Sequence, residues 1–103
     1  MPSVTSEELC LQILEVLYDL SKEAASTWGV NRDTLLKALQ VSEKDMDANV
    51  MYLAQRNMVA VTQADRVIWF LATITPFGKD VVENRQLYER RFPFLKAGKP
   101  GHR

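Results

Sequence analysis

Apolar residues recur at helical spacing from near the start of the chain: Leu9, Ile13, Val16, Leu17, Leu20 and Ala24 follow Thr5, which forms a Thr-x-x-Glu capping box with Glu8. The pattern predicts a first helix of about 20 residues. With successive residues about 100° apart, Leu11, Leu14 and Tyr18 fall on a second stripe, so this helix is apolar on two faces. Ser26-Thr27-Trp28-Gly29 interrupts the pattern with a helix-ending glycine. Asn31 then caps a short helix over residues 32–39 that carries Leu35, Leu36 and Leu39.

Val41-Ser42 follows at once, and Ser42 with Asp45 marks another helix start before Met46, Val50 and Leu53. The third helix is expected over residues 43–56. Asn57, tolerant of the left-handed conformation, ends it, and the period changes to two in Met58-Val59-Ala60-Val61-Thr62. The short polar Gln63-Ala64-Asp65 leads into residues 66–75, which are rich in β-branched and aromatic residues, so the two runs predict a hairpin. Its second strand is apolar on both faces, with Val67, Trp69 and Leu71 opposite Ile68, Phe70, Ala72 and Ile74. The second face needs a cover, either a partner subunit or the returning Phe92-Pro93-Phe94-Leu95. Thr75-Pro76 starts a fourth helix with Phe77, Val81 and Tyr88 along one side, ended by Phe92-Pro93-Phe94. The reading is a mainly α chain with a small β-hairpin, folded over residues 5–91, followed by a basic tail over 92–103.

This order of helix, helix, helix, hairpin and helix, with a tight second junction, resembles a winged helix-turn-helix domain. The likeness is carried by Val41-Ser42, by Tyr52-Leu53-Ala54-Gln55-Arg56-Asn57-Met58-Val59 and by Ile74-Thr75-Pro76-Phe77-Gly78-Lys79. In the family such segments look like the start of the recognition helix, its passage into the first wing strand, and the Thr-Pro-x-Gly entry to the final helix. The chain departs from that pattern at Asn57, where glycine is common, and in a minimal wing loop. The resemblance implies a bacterial or archaeal transcription regulator with three helices, a two-stranded wing and an additional C-terminal helix. Its third helix would enter the major groove of duplex DNA and its wing would touch the flanking backbone.

Charge qualifies the picture. Thirteen Lys plus Arg balance thirteen Asp plus Glu among 103 residues, so no overall basic field draws nucleic acid. The balance is unevenly distributed: residues 1–65 hold five basic and ten acidic side chains, residues 66–103 eight and three. Glu43, Asp45 and Asp47 crowd the start of the third helix, where they suit the helix dipole and oppose phosphate. The DNA-contact candidates are Lys44, Arg56 and Arg66, with Asn49 and Gln55 for base edges. The alternative is a winged-helix module for protein association without DNA binding, favoured by neutral charge and by Ala48, Met51 and Tyr52 on the third helix. A symmetric homodimer is expected from Leu11, Leu14 and Tyr18 on the first helix with Phe77, Val81 and Tyr88 on the last, unless the last helix folds back over the first within one chain.

Other chemistry finds little support. One cysteine, Cys10, and one histidine, His102, make neither an intrachain disulfide nor a Cys/His zinc site, so no metal or cofactor is expected. Cys10 reads as a small buried hydrophobe. There is no Gly-x-Ser-x-Gly, no phosphate-cradling glycine loop and no His-Glu-x-x-His, so no catalytic residue is assigned and the chain is not expected to be an enzyme. No apolar run approaches the roughly 20 residues of a membrane helix, and the first ten residues do not resemble a signal peptide. A cytoplasmic, membrane-free protein is the expectation.

Overall fold

The computed structural model describes residues 6–23, 29–64 and 67–96; the expected cap at Thr5, together with Trp28 and Arg66, lies outside them. Helix α1 (Ser6–Glu23) carries both apolar stripes, and Leu9, Cys10, Leu11, Ile13, Leu14 and Leu17 are all buried. A helix buried on two sides must run through the middle of its domain. Accordingly, α1 packs against α2 (Arg32–Leu39), α3 (Glu43–Gln55) and strand β3 (Val67–Ile74), and also against α4 (Pro76–Glu83) and a terminal 3-10 turn (Pro93–Lys96).

The local signals place these elements. Asn31 accepts a hydrogen bond from the Asp33 N–H at 2.8 Å to cap α2, and Ser42 accepts one from the Asp45 N–H at 3.1 Å to cap α3. Between them Gln40 takes the left-handed conformation, φ 57°, and its N–H returns to the Leu36 carbonyl at 2.9 Å, which turns the chain within three residues. Asn57 is left-handed too, φ 66°, and releases α3 into β2 (Val59–Ala64). The sheet has one strand more than the expected hairpin. The two-residue β1 (Val30–Asn31) pairs antiparallel with β3, giving the order β1-β3-β2. Gly29 precedes β1 at φ +99°, and a Cβ there would stand 2.8 Å from the Ala72 carbonyl oxygen, so the close approach of β1 to β3 depends on glycine. Val59 faces Ile74 and Val61 faces Ala72; of these, Val59, Ala72 and Ile74 are buried.

Two expectations at the C-terminal end are corrected. The fourth helix is not continuous: it stops at Asn84, whose φ −124°, ψ 48° leaves the helical region while its side-chain amide donates to the Asp80 carboxylate at 2.7 Å. A short α5 (Arg85–Tyr88) follows, and the chain then doubles back. Residues 92–96 do not belong to a tail, because Phe92, Phe94 and Leu95 are buried and join the core. Arg85 fastens this return by donating to Glu15 of α1 at 3.2 Å and to the Leu95 carbonyl at 2.6 Å.

This return also accounts for the surface assigned to a dimer. Leu11, Leu14 and Val81 are 2%, 0% and 0% exposed in the single chain, so they are core residues and not a free face. Tyr18, Phe77 and Tyr88 are half-buried and engaged within the chain. Tyr18 donates to Glu83 at 2.8 Å, Tyr88 donates to Asp80, and the Phe77 and Tyr88 rings meet edge to face at 5.7 Å. Helix α4 and the terminal turn pack on α1 within the same chain, the arrangement of the intramolecular alternative.

Each residue type of the Thr75-Pro76-Phe77-Gly78 entry to α4 that carries the resemblance has a local physical reason. Thr75 Oγ1 accepts from the Gly78 N–H at 2.9 Å and donates to the Asn57 carbonyl at 2.7 Å, while its N–H donates to the Met58 carbonyl at 3.0 Å. Proline occupies the first turn, where no donor is missed. Gly78 lets α4 lie directly on the chain leaving α3: a Cβ would stand 2.1 Å from the Met58 carbonyl oxygen and 2.8 Å from Ile74 Cγ1. In an unobstructed helix, glycine to alanine stabilises by ~1 kcal/mol. Gly78→Ala is expected to do the reverse, lowering stability by about 2 kcal/mol through overpacking. Urea denaturation checks the sign, and a raised midpoint contradicts this packing.

Candidate nucleic-acid interface

Helix α3 buries Met46, Asn49, Val50 and Leu53 toward the core. The opposite side is then fixed by the helical period as a ridge of Lys44, Ala48, Met51 and Gln55, at spacings of four, three and four. Lys44, Ala48 and Gln55 are exposed, and Met51 is half-buried. The ridge therefore presents one cation, one amide and two apolar side chains, and no carboxylate.

The flank facing α2 and the hairpin is closed by an ionic cluster. Arg32, the first residue of α2, donates from Nε and Nη2 to the two Asp47 oxygens at 3.0 and 2.6 Å, and from Nη2 to Glu43 at 3.0 Å. The Trp69 indole N–H donates to Asp47 Oδ1 at 2.9 Å, and its ring is fully buried. One carboxylate thus joins α2, α3 and β3. Its hydrogen bonds to Asp47, then to Glu43, raise the Arg32 pKa further above its ordinary value, so the guanidinium stays charged. Asp47 and Glu43, two of the three acids crowding the start of α3, share one cation that is not on the helix, so the cluster offsets one of their two charges.

On the other flank, Arg56 stacks over Tyr52, with its guanidinium carbon 4.3 Å from the ring centroid. Tyr52 meets Phe94 of the terminal turn edge to face at 6.3 Å. A cleft of about 360 Å³ opens there between α1, α3 and the terminal turn, with Cys10 and Asn49 in its lining and Glu7 among the residues around it. The Cys10 thiol donates to Asn49 Oδ1 at 3.1 Å. Its pKa is pushed up to about 11, first by burial and then by the Glu7 carboxylate, with Arg56 opposing. A thiol held protonated in this way is a hydrogen-bond donor and a poor nucleophile.

The sequence-predicted contacts separate accordingly. Lys44 and Gln55 stand on the exposed ridge, and Arg56 is exposed at its end, stacked on Tyr52. Asn49 is not a base-contact residue: it is 8% exposed, its amide donates to the Asp45 carbonyl at 2.8 Å, and its oxygen is taken by Cys10. A polar residue one turn from Met46 and Leu53 reads as surface by composition, yet it shares their buried side. Arg66 lies outside the described residues. Nothing local in the sequence links Arg32 to Asp47 or Trp69, and only the tertiary fold brings the three together.

Among the described residues no cluster of His, Cys, Asp or Glu could hold a metal ion, and no helix is long and apolar enough to cross a membrane. No family model, curated protein or solved structure matches the chain.

The ionic cluster makes a prediction about two neighbouring carboxylates. Asp47→Ala leaves the buried Trp69 N–H without its acceptor and Arg32 with the exposed Glu43 alone, and is expected to cost about 2 kcal/mol. Glu43→Ala removes a partner whose side chain is 64% exposed, and is expected to change stability by no more than ~0.5 kcal/mol. Chemical denaturation followed by tryptophan fluorescence measures both, and equal losses contradict the central role of Asp47.

Proposed function

We propose that the chain is a winged helix-turn-helix domain that binds duplex DNA through α3 and acts as a transcription regulator. The observation that carries this reading is the ridge of Lys44, Ala48, Met51 and Gln55, to which the helical period brings no carboxylate, with Glu43 and Asp47 beside it paired to Arg32. A helix that is to lie in the major groove needs an outward face without anions, since each anion near a phosphate opposes counterion release. Further support comes from the element order, the three-residue junction between α2 and α3, and the Thr75-Pro76-Phe77-Gly78 entry to α4. In this reading Lys44 meets the DNA backbone or a guanine edge, Gln55 meets a base edge, and Arg56 meets phosphate at the end of the helix.

A second reading, a winged-helix module that binds protein, draws on the zero net charge and on Ala48 and Met51 in the same ridge. The two diverge in salt dependence. For the DNA-binding reading, retention on random duplex DNA at low salt and a log-log salt slope of several released counterions are expected. Lys44→Ala should weaken binding and reduce that slope by about one. Absence of retention at low salt, or an unchanged slope in the variant, contradicts the assignment.

A further inference from the structure

Between Lys44 and Gln55 the α3 ridge has no side chain able to donate or accept a strong hydrogen bond: Ala48 is exposed and Met51 is half-buried. Off the ridge, Tyr52 is half-buried with Arg56 stacked on its ring, and two other polar residues of α3 are already committed. Asp47 is held by Arg32 and Trp69, and Asn49 by Asp45 and Cys10. Placed in a major groove, an apolar ridge centre desolvates whatever it covers. Over the amino and carbonyl edges of a G·C pair it would leave polar groups unpaired. The one apolar feature of the major-groove floor is the C5-methyl group of thymine.

We propose that α3 recognises its DNA site through thymine methyl groups, with Ala48 and Met51 covering them and Gln55 pairing with an adenine further along. The inference rests on the DNA-binding reading above and deepens it by naming the class of site, one with A·T pairs at its centre. At a rise of about 1.5 Å per residue, Ala48 and Met51 are separated by about 4.5 Å along the helix, close to the spacing of adjacent base pairs. Gln55 lies about 6 Å beyond Met51. Its amide is suited to a bidentate contact with adenine N6 and N7. Lys44 is the ridge's only donor of the kind that reads guanine, and it stands at the outer end.

The test is selection of bound duplexes from a pool with a randomised centre, using the whole chain. The selected duplex is then remade with deoxyuridine in place of thymidine, which deletes the methyl groups and keeps every hydrogen-bonding edge. Fluorescence anisotropy at one salt concentration gives the two affinities. The selected centre should be A·T-rich, and the deoxyuridine duplex should bind about fourfold more weakly for each covered methyl. In Met51→Gln, confirmed folded by circular dichroism, that ratio should shrink toward one. A selected centre without A·T pairs, or equal affinity for the two duplexes, overturns the inference and leaves DNA binding standing. Failure to retain any duplex overturns the DNA-binding reading itself and this inference with it.

Discussion

The structure depends on the need to cover α1 on both sides. Leu9, Ile13 and Leu17 alone would make an ordinary amphipathic helix, satisfied by α2, α3 and the sheet. Leu11 and Leu14 add a second apolar stripe, and leaving two leucines in water costs several kcal/mol. The chain answers this requirement from its own C-terminal end. Asn84 breaks the final helix, Arg85 ties the return to Glu15 and to the Leu95 carbonyl, and Phe92, Phe94 and Leu95 enter the core. The break at Asn84 thus precedes the return that brings Phe92, Phe94 and Leu95 into the core.

That arrangement decides which surface remains for function. Much of the apolar material outside the first three helices is spent on α1, and the described exposed large hydrophobics, Phe70 and Leu87, are dispersed on β3 and α5. On α3 the Arg32, Asp47 and Trp69 cluster holds one flank, and the Tyr52 and Phe94 rings hold the other. A helix braced on both flanks presents its ridge at a fixed angle, the condition under which a few weak contacts can discriminate among ligands. The helix dipole favours acids at the start of α3, and Arg32 offsets one of the two charges of Glu43 and Asp47 there.

What the sequence makes legible is the local chemistry. Asn31, Ser42 and Thr75 each cap the helix that their side chains mark, Asn57 turns left-handed at the end of α3, and the change of period announces β2 and β3. Each signal acts within four residues, which is why it can be read from the chain alone. The rest is tertiary. Strand β1 is two residues long and exists only because Gly29 allows it to approach β3. Asn49 is polar but sits on the buried side of α3, where Cys10, 39 positions away, supplies its partner. The candidate interface is half legible: Lys44, Gln55 and Arg56 emerge from the helical wheel, whereas Arg32 is joined to Asp47 only through the packing of α2 on α3.

We propose that one ridge of α3 is the surface that meets duplex DNA. Backbone amide NMR of the uniformly labelled chain, titrated with duplex DNA at low salt, tests this most directly. The largest shift changes should cluster at Lys44, Ala48, Met51 and Gln55, while the amides around buried Leu11, Leu14 and Val81 stay in place. Shift changes centred on α4, α5 or the terminal turn, with α3 unmoved, would contradict it.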